Sequence, residues 1–434
     1  MAIKSKKSVL SDVFGLRENP FRSSMVYKVD NPDPFVPEMY GEQYEEFHRK
    51  FFILPLGKEN NKQVIGALWS SHQGDDLGKG HGKSMLMGEE SRLINKDFGR
   101  AMMELAEVGE QDIEENPVLS GYCTFDKSKG IQTFPAALLD AVAFILESKY
   151  GDDGTVHAEL RRRIIARHEL DEDCASEEMK RALLKELRKN RSLNIQLTHA
   201  TLNGFIDRLC DHDTGDLVWF IRQEGIGPRI KATQGFNFVH VFSTFVSLAG
   251  IVYVTYFIDQ IENFASWTRK QDQEVKVLRE SICQTSPTAE MSSFIFQMHI
   301  RAEAAIENMW KSEHLPSLSF NKPMNASRVV CLKGLGSTAE AADLAAVYIA
   351  PARKPDFKAP SPTFPFTDEV IEAVRSAVNG NPRTFLETLF NVLNQAELQG
   401  EKKLDLTFVQ PLLDDVGEEV SDDGQDEDYS NPER

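Results

Sequence analysis

The chain has 434 residues, 41% hydrophobic and 27% charged, with a formal net charge of −18 at pH 7. Such a length can bury at least one large core and suits two or three domains, and the balance is that of a soluble globular protein. The acidic surplus excludes a generally basic nucleic-acid coat, although a local basic face could still meet phosphate. Five cysteines (Cys123, Cys174, Cys210, Cys283 and Cys331) form no CxxC pair. Neither a zinc site nor a disulfide framework is therefore expected, and a reducing cytosol fits best. The first residues, MAIKSKKSVLSDVFGL, are basic but lack the apolar core of a secretory signal.

In chain order, GLRENPF (Gly15 to Phe21) precedes a Pro-rich extended piece and MYGEQYEEFHRKFF, whose apolar spacing predicts an amphipathic helix. Gln63 to Ser70 (QVIGALWS) reads as a buried strand, and a glycine-rich loop leads into a helix from about Lys83. Val118 to Phe125 predicts a second strand, followed by the helix FPAALLDAVAFILESKY. Residues 151–231 are dense in charge and read as a helical insertion. Ala232 to Ile258 carries no Asp, Glu, Lys or Arg, long enough for a membrane span. Gly250, the β-rich VYVTYFI and the polar His240, Ser243, Thr244 and Ser247 favour a buried helix followed by a buried strand. Further strands are expected at Ser293 to Ile300 and Arg328 to Leu335. After them come the helix TAEAADLAAVYIA, a Pro-rich connection and two helical stretches ending near Gly400.

Strands alternating with helices indicate a parallel sheet with helices on both faces. The expected organisation is an N-terminal segment (1–52), a first core part (53–150), the insertion (151–231), a second core part (232–336), a small helical lid (337–402) and an acidic disordered tail (403–434).

The stretch GDDLGKGHGKSML follows the first expected strand. Glycines let backbone N–H groups turn inward and approach phosphate oxygens, and the next helix offers its positive end to the anion. The expected cradle runs through Gly78, Gly80, His81, Gly82, Lys83, Ser84 and Met85. Lys83 would reach the β- and γ-phosphates and the Ser84 hydroxyl would coordinate Mg²⁺. Within the loop, Lys79 and His81 are either extra phosphate contacts or solvated loop residues, and the solvated reading is favoured. Leu77 stands where the motif's first glycine is usual, so a flexible glycine loop that happens to contain GKS is the plain alternative.

Phosphoryl chemistry on such a loop also needs a carboxylate at a neighbouring strand end and a group that positions water. GIVYVTYFIDQIENF supplies Asp259, then Gln260 and Glu262. Asp259 is expected to share the metal with Ser84; otherwise it caps the following helix. Gln260 stands where many such ATPases carry a catalytic Glu, and an amide orients water without accepting its proton. Either Glu262 reaches the water, or hydrolysis is slow and nucleotide serves as a switch.

With both motifs placed, the order of elements resembles the AAA+ P-loop ATPases, especially the origin-recognition, transposition and secretion branch. GLRENPF with MYGEQYEEF resembles the segment that runs past the adenine there, which implicates Asn19, Pro20 and Phe21. FIDQIENF is similar to the IDExEN form of Walker B, and its Asp-Gln-x-Glu variant resembles some STAND signalling ATPases. SFIFQMHIR resembles the sensor-1 strand, with His299 or Arg301 near the γ-phosphate. RVVCLKGLGSTAEAADLAAVYI resembles the strand and helix that open the lid. FTDEVIEAVRSAVNGNPRTFLETL resembles the sensor-2 helix, with Arg383 projecting towards the phosphates; Arg383 is otherwise a surface residue at a helix start. Arg301 and Arg328 are candidates for a finger into a neighbouring subunit.

The resemblance covers most of Gly15 to Gly400 apart from the insertion. It implies an α/β P-loop ATPase with a helical lid, ATP and Mg²⁺ as cofactors, self-assembly, and engagement of an effector protein or of nucleic acid without sequence preference. No membrane partner is expected, and no winged-helix domain after the lid. Basic helices in the insertion (ELRRRIIARHEL, EEMKRALLKELRKNR) suit partner docking first, nucleic-acid contact second and solvated decoration third.

Overall fold

A computed structural model describes residues 8–24, 34–58, 62–70, 80–126, 131, 133–189, 199–225, 232–261, 276, 279, 287–298, 315, 317–319 and 322–422. The chain divides into two compact units. One gathers Met1–Tyr44, Ser70–Met85 and Cys331–Arg434, and the other Glu45–Trp69 and Leu86–Val330.

The second unit is built on the sheet. The strands of that sheet, most of whose residues fall in this unit, are β1 (Ile65–Ser70), β2 (Val118–Thr124), β5 (Tyr253–Asp259), β6 (Ser292–Gln297) and β7 (Val329–Leu332), in the order β2-β5-β6-β1-β7, all parallel. A short hairpin, β3 (Lys149–Tyr150) and β4 (Gly154–Thr155), stands apart from it. Every residue of β5 is buried, as a central parallel strand requires. Helix α1 (Lys83–Asp97) follows β1, and α2 (Phe134–Glu147) packs on β2. Thr133 caps α2 by accepting from the Ala136 amide, and Pro135 suits its first turn. On β5, the Phe47 ring stacks on Phe257 at 5.3 Å, and Tyr253 Oη donates to the Phe51 carbonyl.

The insertion folds as α3 (Val156–His168), α4 (Ala175–Leu187) and α5 (Ala200–Cys210), inside this same unit rather than as a separate body. Several of its described cations meet carboxylates within the insertion: Arg162 and Arg163 pair with Glu159 on α3, Lys180 of α4 with Asp207 of α5, and Lys189 with Glu186. The uncharged stretch resolves as expected into α6 (Ala232–Leu248), a turn at Gly250 with φ +84°, and β5. No described helix is long and apolar enough to cross a membrane.

The first unit is mostly helical. It contains α7 (Thr338–Ala352), α8 (Asp368–Ala377), α9 (Pro382–Gln399) and α10 (Leu406–Asp422). Asn381 caps α9, its Oδ1 accepting from the Arg383 and Thr384 amides, and Gly400 at φ +77° ends it. The N-terminal segment is tied to these helices. Leu16 bridges Arg353, and Phe21 lies against Tyr348 and Phe366 with centroids 6.1 and 6.2 Å away.

Two expectations are corrected. The tail from 403 is not wholly disordered: α10 docks on α8 and α9, with Val409 and Leu413 buried four residues apart on one face. The amphipathic helix expected near residues 39–52 begins later than expected, after Gly41, and changes pitch along its length. A 3₁₀ turn (Pro37–Tyr40) ends at Gly41 with φ +48°, then an α segment (Glu42–His48) passes into a π turn (Arg49–Ile53).

Candidate functional site

In the first unit, the end of the glycine loop meets the start of α9. The Arg383 amide donates to the Gly80 carbonyl at 3.2 Å. A side chain on Gly80 would stand 2.5 Å from Asn381 Oδ1, and φ there is +84°, so two separate constraints require glycine. Gly82 is constrained in the same way. Its φ is +75°, Tyr40 Oη donates to its carbonyl at 2.9 Å, and a Cβ would lie 2.6 Å from that hydroxyl.

Lys83 opens α1. It is only 5% exposed, and its Nζ donates to Ser70 Oγ at 2.6 Å, the last residue of β1. A nearly buried ammonium is costly unless its surroundings supply acceptors or an anion. Ser84 and Met85 follow at intermediate exposure. His81 departs from expectation: it is 4% exposed, a buried residue of the loop rather than a solvated one.

Asn19 and Phe21 are occupied in packing the N-terminal segment. Asn19 Nδ2 donates to the Phe390 carbonyl at 3.1 Å, its Oδ1 accepts from the Phe21 amide, and Phe21 is buried. Pro20 between them is half-buried. Their described contacts are those of a structural clasp on α9, which an adenine-binding role would have to share.

In the second unit, Asp259 ends β5 with 1% exposure. Tyr122 Oη donates to its Oδ2 at 2.7 Å, the Gln260 amide donates to its Oδ1 at 2.7 Å, and Thr124 Oγ1 donates to Tyr122 Oη at 3.1 Å. The parallel register sets Thr124 opposite Asp259 and Tyr122 opposite Phe257. Gln260 is exposed and left-handed at φ +55°, a conformation that costs a non-glycine residue about 1–2 kcal/mol. Nearby Cys123 is buried, and burial first, then the Asp140 and Asp259 charges, push its thiol well above the ordinary range; it is no nucleophile.

Arg328 precedes β7, half-buried, its carbonyl accepting from the Ala67 amide. Gly78, Glu262, His299 and Arg301 lie outside the described residues. Among the described residues no three His, Cys, Asp or Glu side chains converge. In the second unit the Asp259 carboxylate is an oxygen donor, of the kind that suits a hard cation retaining water rather than a zinc-type cage.

Tyr40, Ser70, Tyr122, Thr124 and Asn381 are the residues that sequence reasoning did not assign to the site. Only Asn381 had a local signal, as the cap before Pro382. No protein-family model matches the chain, and no curated protein matches it.

Proposed function

We propose that this chain is an ATP-binding P-loop ATPase of the AAA+ type, taking ATP·Mg²⁺ on the loop that opens α1. The observation that carries this reading is the junction of Gly80 with Asn381 and Arg383. A glycine loop between a parallel strand and a helix is held by the cap of a second, lid-like helix. Lys83 would clamp the phosphates and Ser84 would bind the metal, with Asp259 contributing from the end of β5. The metal would supply charge neutralisation of the transferring phosphoryl group. Arg383 would report the nucleotide state to the lid, and that state would govern assembly with further copies or with an effector.

Calorimetric titration with ATP and Mg²⁺ tests the proposal. Wild-type protein is expected to bind with micromolar affinity or better, and Lys83→Ala to lose at least tenfold, about 1.4 kcal/mol. A wild-type protein that takes up no heat at millimolar ATP would end the proposal.

The second reading is a nucleotide-dependent scaffold with slow turnover. It is favoured by Gln260, which offers no base and is fixed in a left-handed backbone. Steady-state phosphate release then stays near background in wild type and rises in Gln260→Glu. DNA tethering through the insertion is less supported, because Arg162, Arg163, Lys180 and Lys189 are already paired with its carboxylates.

A further inference from the structure

We infer that Tyr122, backed by Thr124, is a positioning residue that holds the Asp259 carboxylate for a divalent cation bound with nucleotide; this rests on the ATP·Mg²⁺ reading above. Side chains two apart on a strand share a face, so Tyr122 and Thr124 form a short hydroxyl ladder on β2 directed at the end of β5. The Thr124 hydroxyl donates to the Tyr122 oxygen, and the single phenolic proton goes to Asp259 Oδ2 at 2.7 Å. The Gln260 amide, one residue past β5, donates to the other oxygen, so one donor from β2 and one from the turn after β5 set the plane of the carboxylate. A carboxylate accepts at about four positions, so this grip is compatible with a metal-shell contact.

The hydroxyl is not explained by packing. Tyr122 is 4% exposed with its ring edge-on to Phe144 at 6.3 Å, a contact that phenylalanine would make equally well. What the oxygen adds is the bond to a buried carboxylate, and groups of this kind around metal-binding side chains typically tune metal affinity ten- to a hundredfold.

The test is ATP binding followed by calorimetry across a Mg²⁺ series, with an EDTA arm. Tyr122→Phe is expected to raise the Mg²⁺ concentration for half-maximal enhancement by about tenfold, while metal-free ATP affinity stays within about twofold of wild type. Thr124→Val should shift the Mg²⁺ dependence in the same direction by less, and it carries the test if Tyr122→Phe does not fold. Wild-type binding with an unchanged Mg²⁺ profile in both variants would overturn the role of Tyr122 and leave the ATPase proposal standing. Equal losses with and without metal would mark Tyr122 as merely structural. Absence of ATP binding by wild type would remove both.

Discussion

Gly82 lies in a left-handed conformation with Tyr40 Oη 2.6 Å from where its Cβ would be. Gly82→Ala therefore combines backbone strain with a displaced hydroxyl, and it is expected to cost roughly 1–3 kcal/mol by urea denaturation. Tyr40→Phe, which keeps the ring and loses only the bond to the Gly82 carbonyl, should cost about 1 kcal/mol. Gln260→Gly relieves the φ of +55° and is expected to stabilise by about 1 kcal/mol in the same assay. At this scale the sequence was informative where the chemistry is local. GKS, Asp259 and the Asn381-Pro382 cap can each be read from adjacent residues. Tyr40 and Tyr122 could not be, because their partners lie 42 and 137 positions away, and a tyrosine in an apolar run carries no sign of which acceptor its hydroxyl will find.

Among the elements, periodicity located the strands and most helices because burial on one face or both leaves a pattern of fixed period. Two elements were misread for identifiable reasons. The acidic composition beyond residue 403 obscured a helical stripe in LTFVQPLL, where Val409 and Leu413 are buried and Phe408 and Leu412 half-buried. The helix near residues 39–52 starts only at Glu42, because Gly41 adopts a positive φ that apolar spacing does not reveal. If α10 is part of the lid, Leu413→Ala should lower the stability of its unit by about 2–5 kcal/mol. Hydrogen exchange read at the amides of α8 and α9 would show this, whereas a detached tail would leave both helices unaffected.

For the molecule as a whole, two buried histidines set an acid limit. His157 lies between Thr214 Oγ1 and the Leu209 carbonyl, and His240 lies beside Thr288 Oγ1. Burial lowers both to about 4. Because the folded values fall below the unfolded value near 6.5, the unfolded chain binds protons first as pH falls. Their stabilisation is thus complete above about pH 6.5 and is lost as pH drops towards 4, by roughly 2 kcal/mol per histidine at pH 5. Chemical denaturation at pH 7.5 and 5 should show this slope, and His157→Gln with His240→Gln should flatten it.

The ties on the glycine loop reach further than the bonds themselves. In a trans peptide the carbonyl and the following N–H point in opposite directions. Anchoring the oxygen of Gly80 to Arg383 therefore aims the His81 amide, and anchoring that of Gly82 to Tyr40 aims the Lys83 amide. Substitutions at positions that never touch an anion can in this way rotate the groups that would greet it.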